Sequence, residues 1–248
     1  MIIIYIIIGF VAQMIDGMLG MAYGVSCRTF LNTFAHVPSN IVSAVVHYAE
    51  IPTSFVSMIS HIKFKNVNRK LFINLLIPGI IGSIIGAYLI TLNIKIIEVI
   101  IDIYLIIMGI LILRKAFINK KKSTNFNNPL YIKFLGLIGA FFDASGGGGW
   151  GPIVTGSLLS NSDNPKEIIG TVNSSEFFIT LSSSITFLLL ITNIKKYLLI
   201  IIGLTIGGVI AAPIAARLCK KISERKLYFF IGILLIFLNI YNIILFII

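Results

Sequence analysis

Four acidic side chains stand in stretches that otherwise avoid charge. Asp16 and Asp143 each open a glycine-rich segment, and Glu50 and Glu176 follow in the next apolar segments. Such a carboxylate can load and release a proton, or it can cap a helix end by accepting freed backbone N–H groups. Glu50 and Glu176 read as gating or relay groups, or else as members of an ion pair or residues near an interface. His47 adds a group whose ordinary titration lies close to neutrality. Arg28 lies about one helical turn beyond Gly24. Its guanidinium fork suits an oxyanion, and its long stem also lets the charge reach out to water. Asn173, Ser174 and Ser175 offer neutral donors, for an oxyanion or for bonds between helices. Cys27 offers exchange with sulfane sulfur, or is an inert buried thiol. An ionised Asp repels an anion, so anion chemistry here requires a proton or a neighbouring cation.

The backbone that positions these groups is unusual. The stretch 143–152 reads DASGGGGWGP. Glycine is a poor interior helix residue, so Gly146, Gly147, Gly148 and Gly149 should interrupt a helix between Ser145 and Trp150. Pro152 suits the first turn of a helix that restarts there. The stretch 16–24, DGMLGMAYG, is a sparser version carrying Gly17, Gly20 and Gly24. A restarting helix points free N–H groups and a positive dipole end at the break, which favours anions. Gly146, Gly148 and Gly151 also satisfy GxGxxG, but the strand-turn-helix setting that gives that pattern meaning is missing. No GxxxxGK[ST] appears, which argues against ATP-driven transport by this chain.

Composition supplies the setting. Of 248 residues, 57% are hydrophobic and 12% charged, with a mean hydropathy of +1.01. Soluble domains carry about 25% charged residues, and a membrane span needs about 20 apolar ones. The expected class is an all-α polytopic integral membrane protein, in the cell membrane, with the lipid bilayer as its surroundings. The net charge of +11 sits in short runs between apolar segments. That is the pattern of topology signals rather than of a nucleic-acid surface. Lys120–Lys122 and the run 217–226 are such signals first and anionic-lipid contacts second. Cys27 and Cys219 form no CxxC motif, and neither HExxH nor GxSxG occurs. No metal, no cofactor and no enzymatic activity are expected.

The chain also resembles itself. Laid over each other without a gap, 9–24 and 136–151 match Gly9 with Gly136, Asp16 with Asp143, Gly20 with Gly147 and Gly24 with Gly151. Pro38 then meets Pro165. After single-residue slips Glu50 meets Glu176, Gly82 meets Gly207 and Ala87 meets Ala212. Two homologous repeats are expected, 1–117 and 130–248, joined by a basic polar linker at 118–129. Apolar segments fall at 2–15, 22–35, 39–62, 71–92, 96–117, 130–143, 152–160, 166–192, 197–216 and 227–248. The first two of each half look too short to cross alone. Each opening pair is either one Gly-broken crossing, giving about eight spans and parallel repeats, or a re-entrant hairpin, giving inverted repeats. Lys and Arg divide 12 against 8 in the first arrangement and 16 against 4 in the second. The positive-inside rule favours the second.

Paired Gly-rich segments, each followed by a short helix and a Pro before the next span, resemble the TauE/SafE sulfite exporter family (TSUP permeases). The residues that carry the likeness are Gly9 to Gly24 with Pro38, Gly136 to Gly151 with Pro165, and the small-residue segments Pro78 to Ala87 and Gly203 to Ala212. The resemblance implies transport of small, often sulfur-containing anions such as sulfite, thiosulfate or organosulfonates. It also implies two repeats of four helices, the arrangement that the charge count disfavours. The expected function is a secondary transporter of a small anion bound between the two breaks. Substrate-binding candidates are Gly17, Gly20, Gly24, Arg28, Ser145 to Trp150, and Asn173 to Ser175. Asp16, Asp143, Glu50, Glu176 and His47 are candidates for coupling, with a proton as the coupled ion. The other readings are a proton or cation carrier built on the same carboxylates, or a membrane protein that is not a transporter. Oligomeric state is not legible.

Overall fold

The computed structural model describes residues 2–21, 23–35, 37–92, 95–117, 128–159, 164–191 and 194–218, with scattered positions between 225 and 244. Residues 118–127 of the expected linker, His36, Cys219 and most of the last apolar segment, 227–248, lie outside the described residues.

Among the described residues every regular element is helical. In chain order these are α1 Ile2–Leu19, α2 Tyr23–Ala35, α3 Ser39–Lys63, α4 Arg69–Thr91, α5 Lys95–Phe117 and α6 Pro129–Gly146. A π-helical turn Gly151–Thr155 then runs into α7 Gly156–Leu159. It is followed by α8 Pro165–Leu190, a 3-10 turn Ile194–Tyr197 and α9 Leu198–Leu218. Side-chain caps mark two starts: Asn68 accepts from Leu71 N–H at α4, and Asn128 from Leu130 and Tyr131 N–H at α6. Such caps satisfy donors that a helix end leaves open.

One expected boundary is corrected. The first apolar segment does not stop at residue 15. α1 continues through Asp16 and Gly17 to Leu19, and its 18 residues make it long and apolar enough to cross a membrane. The reason is tertiary: Asp16 and Gly17 are buried, and Gly17 packs on Ala215 of α9. Arg69–Thr91 and Ile194–Leu218 also have the length and composition to cross.

The outer surface is apolar, unlike that of a soluble protein. Isoleucines line the outer faces, among them Ile3 and Ile7 of α1, Ile77 and Ile81 of α4, and Ile206 and Ile210 of α9. The interior instead holds a polar stripe on α3: Ser43, His47, Glu50, Ser54, Ser57 and His61, all buried. Steps of three and four residues put these on one helix face. On α8, Thr171, Asn173 to Glu176, Thr180, Ser183 and Ser184 are likewise buried. Polar and ionisable groups of membrane helices face the protein interior in this way.

The directions of the helices follow from their contacts. α3 and α8 run antiparallel, since Ser57 meets Asn173 while Glu50 meets Thr180. α1 runs parallel to α9, with Gly9 on Leu204 and Gly17 on Ala215. α3 also runs parallel to α9, with Ala49 at Thr205 and Thr53 at Gly208. α1 and α3 therefore point the same way, and α2 must bring the chain back between them. α6 runs parallel to α4, with Gly136 on Leu75 and Gly86 on Phe141. α4 in turn follows α8, with Gly79 on Ile179 and Ser83 on Ser182. The same folding back is therefore required between α6 and α8.

Candidate functional site: two helix breaks in contact

α1 and α6 stop in the same way. Gly20 and Gly147 both adopt left-handed backbone, with φ of 68° and 66°. The Gly20 N–H donates to Asp16 O and the Gly147 N–H to Asp143 O. Only glycine takes this conformation without steric cost, and it is a common way to end a helix. Asp143 then reaches over the break. Its Oδ1 accepts from the N–H groups of Gly149 and Trp150, at 2.8 and 3.1 Å. Asp16 accepts the N–H of Tyr23 in the other break. In this conformation both aspartates therefore act as caps for the restarting helix.

The breaks pack directly against each other. Gly24 abuts Gly147 and Gly148, Gly148 abuts Val25, and Gly151 abuts Met21 and the carbonyl of Gly20. At Gly24 and Gly151 the approaching atoms are backbone or Cβ and leave no room for a side chain. Two cross-links bind the breaks together. Arg28, only 2% exposed, donates through Nη1 to Gly146 O, and Thr155 donates through Oγ1 to Gly20 O. Burial rules out the reading of Arg28 as a charge run out to water.

α3 and α8 frame this contact. Ser43 Oγ donates to Ala144 O at 2.7 Å. His47 Nδ1 lies 2.8 Å from Ser43 O, so Nδ1 carries a proton and donates it. His47 Nε2 then faces Asp143 Oδ2 at 3.3 Å. The carboxylate of Glu50 joins them: one ligand atom from each of His47, Glu50 and Asp143 lies within 4.8 Å of the other two. Glu50 Oε2 also accepts from Thr180, at 3.4 Å. Asp16 and Glu176 are close enough to interact electrostatically with Glu50 and Asp143. Four buried carboxylates in mutual range repel one another and call for positive charge among them.

The fold gathers Asp16, Asp143, Glu50, Glu176, His47, Arg28, Gly20, Gly24 and Gly146 to Gly148 into one region. The other expected residues have the following contacts. Ser174 and Ser175 donate to Gly170 O and Thr171 O of their own helix, at 2.7 and 3.0 Å. Ser145 donates to Phe141 O. Trp150 is buried, with its indole N–H on Val172 O, and packs beside Gly79 and Gly139. Gly17 faces α9, and Gly149 abuts Phe142 and the backbone of Asp143. Asn173 accepts from Ser57 at 2.9 Å and lies beside Gly20. The letters alone did not single out Ser43, Ser57 or Thr180, although the spacing of the polar stripe contains all the information needed for the first two.

The model of the family described as Sulfite exporter TauE/SafE matches residues 5–242. The chain belongs to the TauE/SafE family. It is 39% identical over 244 residues to the "Probable membrane transporter protein YtnM" of Bacillus subtilis (strain 168), covering 96% of this chain and 81% of that one. No solved structure matches. Membership in TauE/SafE makes the chain a multi-pass membrane permease, not an enzyme. Its surroundings are a lipid bilayer and its cargo is a small substrate.

Proposed function

We propose that this TauE/SafE protein is a secondary permease of the cell membrane for small anions, in particular sulfur-containing oxyanions or organosulfonates such as sulfite. The observation that carries the reading is the contact between two interrupted helices in the interior, with Arg28 drawn across to Gly146. Secondary transporters build ion sites from discontinuous helices of this kind, using peptide dipoles at the ends. The description of the matching family model supports the substrate class.

In this reading the chain is two inverted repeats, 1–117 and 130–248, joined through 118–129. The antiparallel course of α3 and α8 supports the inversion. So does the exchange of partners, α1 lying on α9 and α6 on α4. Each repeat opens with a re-entrant pair, and rocking of one repeat against the other exposes the breaks to either side. The substrate is held by peptide groups at Gly20, Gly24 and Gly146 to Gly149, by Arg28 and by the Asn173 amide. Gly17, Ser145, Trp150, Ser174 and Ser175 support this set by packing and local hydrogen bonds. The Asp143 carboxylate stands where the restarting helix offers its N–H groups, so an anion must compete with it. Asp16, Glu50, Asp143 and Glu176, with His47, carry the compensating positive charge, a proton being the smallest.

Uptake into proteoliposomes tests this. Sulfite, thiosulfate, an organosulfonate and a simple carboxylate are supplied with and without a pH gradient. Saturable uptake of a sulfur oxyanion, lost in Arg28→Ala, is expected; no uptake of any of them overturns the reading. The crowd of buried carboxylates favours one second reading, a proton or cation carrier. Gradient-driven proton flux in the absence of every candidate anion would select it.

A further inference from the structure

We propose that His47, Glu50 and Asp143 form a binding site for one divalent transition-metal cation of the zinc type. The three ligand atoms lie within 4.8 Å of one another, and all three side chains are buried. His47 Nε2 and Asp143 Oδ2 are buried atoms without a hydrogen-bond partner. They face each other across 3.3 Å. A charge-assisted hydrogen bond would draw them to about 2.7–2.9 Å. Two ligands on a tetrahedral zinc, each bonded at about 2.0–2.1 Å, stand roughly 3.3 Å apart. The observed separation is compatible with two atoms sharing a cation.

Each ligand is also held from behind. The Nδ1–H of His47 donates to Ser43 O, which leaves the Nε2 lone pair aimed at Asp143. Metal-binding histidines carry this kind of outer hydrogen bond, which fixes the tautomer and the ring plane. Asp143 Oδ1 is pinned by Gly149 and Trp150 N–H, leaving Oδ2 for the metal. Glu50 is steadied by Thr180. A dication here offsets two charges of the carboxylate cluster. Three protein ligands leave a fourth position for water or a passing anion. The assignment rests on these side chains and holds whichever substrate the permease carries.

The test uses the full chain purified in detergent, stripped with EDTA, then titrated separately with Zn2+ and Co2+. One zinc per chain after desalting, a higher melting temperature with zinc, and visible bands of four-coordinate cobalt are expected. His47→Gln and Glu50→Gln should each weaken binding at least tenfold, whereas His61→Gln, a buried histidine outside the cluster, should leave it unchanged. Glu50→Gln keeps the Ser43–His47 bond and the Asp143 cap, so it decides the matter if His47→Gln fails to fold. Absence of stoichiometric zinc in the unmodified chain overturns the proposal. Binding by Glu50→Gln equal to that of the unmodified chain also overturns it.

Discussion

At the break after α6, an aspartate faces a histidine, and an arginine from the other break lies on the carbonyl of Gly146. At the break after α1, the glycine turn is met by an asparagine and a threonine, Asn173 and Thr155. The backbone is alike in the two places: a left-handed glycine, an aspartate four residues before it, and a carboxylate reaching forward to the restarting helix. Even the flanking polar residues are tethered alike, His47 to Ser43 O and Asn173 to Ile169 O, each four residues back. The backbone device and its aspartate are thus repeated, while the histidine and arginine contacts are not. Stopping and restarting a helix needs only glycine and a cap. The contacts of the flanking side chains differ: Arg28, from the helix that restarts after the first break, lies on Gly146 O at the second.

The contrast is broken most easily at its cross-links. Arg28→Met should cost about 2–3 kcal/mol, because it removes a charge-assisted hydrogen bond and leaves the buried carbonyl of Gly146 unpaired. Uptake should fall at least a hundredfold. Thr155→Val removes one neutral hydrogen bond and should cost about 1 kcal/mol. Unfolding of both variants in detergent measures the gap; equal losses would mean that the breaks are equivalent after all.

Next in size are the helix stops. An alanine forced into left-handed backbone costs about 1–2 kcal/mol. At Gly147 the nearest atom to a new Cβ is Arg28 Cδ, at an ordinary 3.4 Å, whereas at Gly20 it is Thr155 Oγ1 at 3.0 Å. Gly20→Ala should therefore be the more damaging of the two. Melting temperatures of the pair check the order, and the reverse order would mean that the Thr155 contact gives way freely.

Much of this arrangement was legible in the letters. The run Gly146 to Gly149 announces its own break, since four glycines in a row make a poor helix interior. The apolar segments anticipate the helices because a bilayer demands long apolar runs. The end of α1 was not legible. Asp16 and Gly17 look like helix-ending residues, yet burial against Ala215 carries the helix past them. The grouping of His47 and Glu50 with Asp143 was hidden for a different reason. The first two sit one turn apart on α3, and the third arrives from the other half of the chain, so no local spacing marks the set. The local bonds of Ser174 and Ser175 were also not legible. These serines read as donors for a ligand, but inside a helix a serine finds its own i−4 carbonyl first.

The smallest expected effect sharpens the contrast furthest. His47→Asn places at the break after α6 the residue type found at the break after α1. Asparagine can keep the tether to Ser43 O, as Asn173 keeps its own to Ile169 O. Stability should therefore change by no more than about 1 kcal/mol. What it cannot keep is a ring nitrogen aimed at Asp143 Oδ2. Zinc binding should fall at least tenfold while the fold and the melting temperature of the metal-free chain persist. The reverse substitution, Asn173→His, puts an imidazole near Gly20 but brings no second Arg28. A change in metal stoichiometry there would mean that the imidazole alone, and not the charge gathered around it, decides which break binds a cation.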